Sequence, residues 1–360
     1  MIVAQAPGRI NLIGEHTDYN LGFAMPIALE QRTTVRFEPD DSTTITLETD
    51  REAGKHAFDV TVQPGDVDGW SAYPAGVVWA LAAAGHRVVG GTMSISSTVP
   101  IGAGLSSSAA LECAVLLAMN EATGVELDLL DVARIAQRAE NDFVGAPTGL
   151  MDQLASLHGE ADRALLVDFE AADVTPVDFD PASHGLALLV VDSHAAHQHS
   201  TGEYAARRDS CTRAAHVLGA DSLREVQGQD VLNRIEDPTD RRRARHVLTE
   251  NERVLDCGIA LTAGGFRRVG DLMNQSHASM RDDFEITTPH IDLIADSAVR
   301  HGALGARMTG GGFGGCVIAL VKAAEKDAIA EKIASDIAAR DYPAPSIFTA
   351  RAGSGAAVQR

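Results

Sequence analysis

Pro100-Ile-Gly-Ala-Gly-Leu-Ser-Ser-Ser-Ala-Ala110 falls between a strand candidate, Gly91 to Val99, and a helix candidate, Ala109 to Ala122. Proline at position 100 ends the strand, because it has no N–H to give to a ladder. Gly102 and Gly104 let the backbone come close to a ligand. The first amides of the next helix point forward without acceptors, and the helix dipole favours negative charge there. A serine hydroxyl at this position can ligate magnesium. Gly102 to Ser108 is therefore a candidate phosphate loop. The plainer reading is an ordinary strand-to-helix turn with serine caps, and on these residues alone the two stand level. No G-x-x-x-x-G-K-[ST] occurs, which excludes a P-loop nucleotidase.

On either side of this stretch, segments of period two and period 3.6 alternate, so the class is mixed α and β. Thr44 to Leu47, Leu165 to Phe169 and Leu186 to Val191 read as strands. Gly124 is placed to stop the Ala109 helix. Leu129 to Ala139 reads as a second helix with Asp128 as N-cap. A third runs from a Thr148 cap to His158, stopped by Gly159. Ala75 to Ala84 has the size of a buried helix. Tyr204 to Leu218 and Asp240 to Ala263 are further helical stretches, and Gly310 to Gly315 precedes a strand-like Cys316 to Val321. At 360 residues the chain suggests two domains, and a boundary between Phe179 and Leu186 gives segments 1–183 and 184–360.

Bulk properties exclude several classes. The formal net charge of -20 argues against a nucleic-acid or anionic-membrane surface. Lysine occurs only at positions 55, 322, 326 and 332, so phosphate chemistry here leans on arginine, metal or backbone dipoles. Cys113, Cys211, Cys257 and Cys316 form no C-x-x-C pair, which fits reduced thiols in a cytoplasmic protein. No signal peptide is evident, and no apolar run reaches the length of a membrane span.

The densest polar stretch is Ala6 to Asn20, APGRINLIGEHTDYN, just after a strand candidate at Ile2 to Gln5. It is poor core material and suits a loop that grips a polyhydroxylated or phosphorylated ligand. Glu140, at the end of the second helix, reads by itself as a solvated carboxylate on a surface turn. Asp152 lies in the first turn of the third helix, beside a buried face, where the dipole favours an ionised carboxylate. A dipole partner is the commoner role for such a residue, and a catalytic acid or base the rarer one. Tyr204, starting a helix, reads by itself as a packing residue. His194, His197 and His199 have a spacing that can ligate zinc, but nothing completes a site, and a polar loop is the preferred reading. The arginines at 241, 242, 243 and 245 are read as a solvated helix face meeting nearby acids rather than as a phosphate site. Gly310, Gly312 and Gly315 fit G-x-G-x-x-G, but a strand follows rather than a helix. A tight turn allowing close backbone approach replaces the dinucleotide reading.

Five separated blocks together resemble the galactokinases, within the GHMP family of small-molecule kinases. They are the Ala6 to Asn20 stretch, the loop at Pro100 to Ala110, the Glu140 to Gln153 region ending in GLMDQ, the Tyr204 to Arg208 segment, and Met308-Thr-Gly-Gly-Gly-Phe-Gly-Gly-Cys316. Arg243-Ala-Arg-His246 also resembles a family segment, and the similarity covers almost the whole chain. The resemblance implies an α+β, two-domain GHMP kinase fold with mixed sheets and the active site in the interdomain cleft. It implies ATP, Mg2+ and transfer of the γ-phosphate to the anomeric hydroxyl of α-D-galactose, the first committed step of galactose catabolism by the Leloir pathway. A monomer is also implied.

Carried over by position, Glu15, His16, Thr17, Asp18, Gly149 and Tyr204 would bind the sugar. Gly102, Ala103, Gly104, Leu105, Ser106, Ser107 and Ser108 would form the ATP loop. Ser108 and Glu140 would be the magnesium ligands. Asp152 would be the catalytic base, and Arg9 would stabilise the transferring phosphoryl group. Phosphoryl transfer depends mostly on alignment and charge stabilisation, which these residue types supply. Arg9 is a permanent cation that can hold phosphate or carboxylate oxygens in a fork, including those of Asp152. Two roles stay open for Asp152, proton acceptor or electrostatic orienter.

Two positions depart from the family pattern. Thr148 stands where many relatives have cysteine, and Asn141 replaces a histidine common in animal relatives. Neither is expected to touch the residues assigned above. Two other readings compete. Some relatives bind sugar and ATP as transcriptional sensors and lack a Ser-Ala pair in the phosphate loop, whereas Ser108-Ala109 is intact here. Sister kinases act on N-acetylgalactosamine or arabinose, and Glu15 to Asp18 favours galactose without excluding them.

Overall fold

The computed structural model describes residues 1–195 and 200–359. The first half contains β1 (Ile2–Asn11), β2 (Phe23–Ala24), β3 (Pro26–Pro39), β4 (Thr44–Thr49), β5 (Lys55–Asp59), α1 (Ala72–Ala83), β6 (Gly91–Ser97), α2 (Ser107–Thr123), α3 (Leu129–Arg138), α4 (Met151–His158), β7 (Arg163–Asp168) and β8 (Asp173–Asp178). The second half contains β9 (Leu186–Asp192), α5 (Ser200–Leu218), α6 (Pro238–Thr262), α7 (Phe266–Ser279), α8 (Pro289–Arg300), β10 (Gly305–Thr309), β11 (Cys316–Lys322), α9 (Lys326–Ala338), β12 (Ser346–Ala350) and β13 (Ala357–Gln359).

Local chemistry explains several helix ends. Asp128 caps α3 by accepting the Asp131 amide, and Asp237 caps α6 by accepting those of Thr239 and Asp240. Gly124 closes α2 in the left-handed conformation. Three departures from the sequence reading matter. β1 runs to Asn11, so Arg9 sits on a strand rather than in a loop. Thr148 does not cap α4, which starts at Met151 with no side-chain cap. After α3 the chain continues into a π-helical turn, Ala139–Val144, which turns Glu140 inward.

Three sheets organise the chain. The first has the order β13-β1-β3-β6-β4-β5 and is antiparallel except for the β4–β6 pair. Its edge strand β13 returns the C-terminus to the first half of the chain. The second has the order β10-β11-β9-β12 and is antiparallel throughout, and the third is β2-β7-β8. One apolar core lies between the first sheet and helices α1 to α4, and another packs α5, α6, α8 and α9 on the second sheet. A middle core mixes Ile10, Leu12 and Met25 with Val254, Leu272 and Ile318, so the two halves share buried surface.

Candidate active site

The register of β1 against β3 shifts between Pro7 and Arg9. Such a bulge re-aims the side chain beside it. The loop before α2 is laid directly on this bulge. The Arg9 amide donates to the Leu105 carbonyl at 3.1 Å, and a Cβ on Gly8 would stand 2.6 Å from that same oxygen. Gly102 and Gly104 have positive φ, and so does Ser106, which leads into α2. The bulge, these turns and the α2 N-terminus thus form one unit.

Arg9 is buried and makes a fork on Asp152. Its Nε donates to Oδ1 at 2.8 Å and its Nη2 to Oδ2 at 3.0 Å, while Nη1 donates to the Gly104 carbonyl at 2.7 Å. Ser106 Oγ also donates to Asp152 Oδ2. Burial works against the Arg9 charge, but Asp152, Glu15 and Asp18 outweigh it, and its pKa lies above the ordinary value. The Asp152 side chain keeps 20% of its surface exposed, enough to meet a ligand.

Glu140 is buried, not solvated on a surface turn. Ser108 Oγ donates to its Oε1 at 2.8 Å, and Gln153 Nε2 and Thr148 Oγ1 lie 2.9 and 3.1 Å from its Oε2. Burial and the Asp152 charge push its pKa up, against these three donors. Thr148 is also tied to Asn141, whose Oδ1 accepts the Thr148 amide at 2.9 Å. The two positions that depart from the family pattern are therefore partners of each other. Contrary to expectation, Thr148 touches an assigned residue.

The sugar-motif residues divide. Asp18 borders the same cleft, and its carboxylate accepts the Tyr19 amide at 2.9 Å. Burial, joined by the Asp152 and Glu15 charges, pushes the Asp18 carboxyl up to about 6. Gly149 lies against it so closely that a Cβ there would stand 1.7 Å from Asp18 Oδ2. His16 has its Nε2 3.0 Å from the Gly311 carbonyl and its Nδ1 2.8 Å from the Tyr19 hydroxyl. Burial lowers its pKa to about 3, so it is a neutral Nε2–H imidazole that accepts from Tyr19. Tyr204 packs on it with ring centroids 4.8 Å apart. Thr17 is a correction in position. It is fully buried away from the cleft lining, with its hydroxyl 2.7 Å from the Phe23 carbonyl and 3.0 Å from that of Gly14. Ala103 is likewise buried outside the lining.

Glu15 reaches across the molecule. Its Oε1 accepts the Gly310 amide at 2.9 Å and lies 3.4 Å from Arg307 Nη1. Burial raises its pKa against the pull of Arg307 and Arg9. Arg307 also faces Glu250 at 3.7 Å, and Arg253 Nε donates to Glu250 at 2.7 Å. The sequence reading missed Arg307 and Glu250. The available signal was an arginine between apolar residues in a strand just before the glycine block. That block is a hairpin turn between β10 and β11, as expected from the strand that follows it, and Gly310 packs on the Gly104 carbonyl.

Together these groups line a cleft of about 430 Å³ between the two halves, bordered by Arg9, Glu15, His16, Asp18, Gly102, Gly104 to Ser108, Glu140, Gly149, Asp152, Tyr204 and Gly310 to Gly312. One wall holds an ion-paired carboxylate, a helix N-terminus with glycines, and a serine–glutamate pair. The other holds acids and the Tyr204 phenol, suited to hydroxyl groups. The arginine cluster lies elsewhere and meets acids, Arg242 reaching Glu285 and Arg245 reaching Asp283 at 3.1 Å each. His194 contacts Asp192 and Ser346, while His197 and His199 lie outside the described residues. No metal-binding cluster of histidine, cysteine and acids occurs among the described residues. All four cysteines are buried and unpaired.

The model of the galactokinase galactose-binding signature matches residues 1–39, that of the GHMP kinase N-terminal domain residues 72–160, and that of the GHMP kinase C-terminal domain residues 259–339. The chain is 57% identical to a galactokinase of Mycobacterium bovis over 98% of both chains. It is 47% identical to one of Streptomyces coelicolor, over 98% of this chain and 92% of that one. Among solved structures it is similar to Lactococcus lactis galactokinase complexed with galactose, with a TM-score of 0.93 and 31% identity over 99% of this chain and 94% of that one. A mevalonate kinase shares the fold at 18% identity and a TM-score of 0.70, over 98% of this chain and 99% of that one.

Proposed function

This chain belongs to the galactokinase family, and from that premise we propose that it transfers the γ-phosphoryl group of ATP to the anomeric C1 hydroxyl of α-D-galactose. One observation carries the reading. Asp152, forked by Arg9, faces the cleft that the Glu15 to Asp18 segment and the α2 N-terminus both border. Sugar and phosphate are thereby brought to one carboxylate.

The α2 amides and the loop Gly102 to Ser108 receive the phosphate chain, as helix N-termini receive anions. Asp18 and Tyr204 hold sugar hydroxyls, and Gly149 leaves them room. Glu15 and His16 hold the segment in place through Gly310 and Gly311. The C1 oxygen then attacks the γ-phosphorus, the bond to the β–γ bridging oxygen breaks, and the hydroxyl proton passes to Asp152. Arg9 fixes the orientation of Asp152 and places a permanent cation beside the transferring group.

Ser108 Oγ and the Glu140 carboxylate are adjacent hard oxygen donors, and they fit a magnesium ion. Magnesium, when bound, neutralises charge on the phosphates. Buried, unpaired cysteines support a cytoplasmic setting. No helix among the described residues is long and apolar enough to cross a membrane. We also infer a monomer, and two domains, 1–183 and 184–360, with β13 crossing back to the first.

The test is ADP release with magnesium across galactose, N-acetylgalactosamine, arabinose and other hexoses. Turnover is expected with galactose. Turnover with another sugar and none with galactose would overturn the substrate assignment, and none with any sugar would favour a sensor.

A further inference from the structure

The transfer described above makes no use of the block Arg243-Ala-Arg-His246. Its histidine, on α6, is fully buried. His246 Nε2 lies 3.1 Å from the Glu15 carbonyl, and Nδ1 lies 2.9 Å from Ser279 Oγ. A carbonyl can only accept, so Nε2 carries a proton and donates. Burial lowers the His246 pKa to about 4, which leaves the ring neutral and Nδ1 an acceptor. The Ser279 hydroxyl, nearer to Nδ1 than to Asp283 Oδ2 at 3.3 Å, donates to it. Both ring nitrogens are thereby committed.

The Glu15 carbonyl belongs to the peptide that leads into His16, whose φ is 60°. A residue with a β-carbon adopts this left-handed conformation rarely and at a cost in free energy, and it persists where surrounding contacts fix it. Helix α6 grips the backbone here twice. Glu250, one turn beyond His246 on the same helix face, accepts the Gly14 amide at 3.0 Å. Phe284 sits between the two imidazoles, its ring centroid 4.5 Å from that of His246 and 4.9 Å from that of His16. Beyond the turn, Asn20 Nδ2 donates to the His16 carbonyl at 2.9 Å. The Glu15 and His16 side chains are held by the glycine block, at Gly310 and Gly311. His246 acts instead on the peptide between them. Without its donor, a buried carbonyl loses its partner and the turn can relax toward an ordinary conformation.

We propose that His246 is a positioning residue: its Nε2–H holds the Glu15 carbonyl, and with it the left-handed turn at His16 that presents His16 and Asp18 to the cleft. The inference rests on the reading of Glu15 to Asp18 as the sugar-binding segment and adds the group on α6 that keeps this segment in shape before the sugar arrives. A preformed segment spares the sugar the cost of ordering it. Loss of the bond therefore weakens galactose binding. The loop Gly102 to Ser108, seated on β1 rather than on α6, keeps its affinity for ATP.

The experiment uses the full chain and two variants, His246→Gln and His246→Asn. A glutamine amide reaches the position of Nε2 and can donate to the Glu15 carbonyl. An asparagine amide ends where Nδ1 does, so it reaches Ser279 but not Glu15. Calorimetric titration reads galactose affinity, and ADP release reads the KM of galactose and of ATP. His246→Asn is expected to weaken galactose binding and raise its KM about tenfold, the usual consequence of one buried acceptor left unpaired, with the ATP KM unchanged. His246→Gln should keep the parent's galactose affinity. A general loss of packing would move both substrates and would not be rescued by glutamine. The proposal is overturned by a glutamine variant as impaired as the asparagine one, by an asparagine variant with the parent's galactose affinity, or by an ATP KM that rises in step with that of galactose. If the asparagine variant fails to fold, His246→Gln decides alone, and weakened galactose binding or failure to fold there overturns the proposal. A parent that binds galactose without releasing ADP would remove the kinase reading only, and the titrations would still decide the role of His246. A parent that does not bind galactose would remove the sugar-segment reading, and the positioning role with it.

Discussion

Asp18 brings to the cleft a carboxyl that burial, with the Asp152 and Glu15 charges, raises to about 6. Ionised, it offers acceptors alone at both oxygens, and protonation turns one of them into a donor. The rate at low galactose is therefore expected to fall as pH drops through about 6, and Asp18→Asn should flatten that limb at a lower plateau. His16, lowered to about 3, stays neutral across this window and adds no limb of its own. An acidic limb unchanged in Asp18→Asn would remove Asp18 from the sugar site. The same shift has a stability consequence of opposite sign to the usual acid. The folded state holds the Asp18 proton more tightly than the unfolded chain, whose ordinary value is 3.8. Its contribution is thus most favourable below that value and is lost as pH rises through about 6. Asp18→Asn should melt higher than the parent at neutral pH while binding sugar worse, a pairing readable from thermal melts and galactose titration. For Asp152→Asn the expectation is a loss of turnover of about a hundredfold or more with an unchanged circular dichroism spectrum. A near-normal rate would show that the proton goes elsewhere.

Elements carry the next constraint, because α4 and the π-helical turn before it decide where Gly149, Asp152 and Glu140 point. A Cβ at position 149 would fall 1.7 Å from Asp18 Oδ2, so Gly149→Ala must displace the carboxylate or the α4 entry. Displacement of about 1 Å in a positioned group can cost on the order of a hundredfold in rate. Gly149→Ala is therefore expected to lower kcat/KM for galactose by about that factor, with little change in melting temperature. Normal kinetics in steady-state assays would contradict the packing of Gly149 on Asp18. The local signals for helices were legible where a cap or stop is written into neighbouring residues, as at Asp128 and Gly124. They were misleading where tertiary partners override them. Thr148 looks like an N-cap, but its hydroxyl is drawn to Glu140 and Asn141. Arg9 looks like a loop residue, but Asp152, 143 positions away, lets the strand run through it. Glu140 reads as surface because no neighbour in sequence announces the π-helical turn that buries it.

For the whole molecule, the question is what joins two halves that share a cleft. Glu15, Arg307, Glu250 and Arg253 form a buried chain of alternating charge, two acids and two bases, linking the sugar motif to β10 and α6. The Gly14 amide also donates to Glu250 at 3.0 Å, so the backbone of the motif is held by the same chain. Little of this was readable from sequence, since Glu15 and Arg307 stand 292 positions apart and neither has a local reason for its partner. Burial would raise Glu250, but Arg253, His246 and Arg307 overcome it and hold its pKa at about 2, below the ordinary 4.5. Its contribution to stability is accordingly full above 4.5 and is lost as pH falls toward 2. Arg307→Met keeps the volume and removes the centre of the chain, leaving Glu15 without its nearest cation. Breaking a buried ion pair from one side typically costs about 3–5 kcal/mol. The variant is expected to lose stability of that order in urea unfolding at neutral pH, and to lose part of its acid sensitivity between pH 4.5 and 2 as Glu250 rises toward its ordinary value. Galactose affinity should fall with it, because Glu15 loses the charge that fixes the sugar segment. Arg307→Met unfolding together with the parent, at unchanged galactose affinity, would show that the apolar core between the halves holds the cleft without the charges.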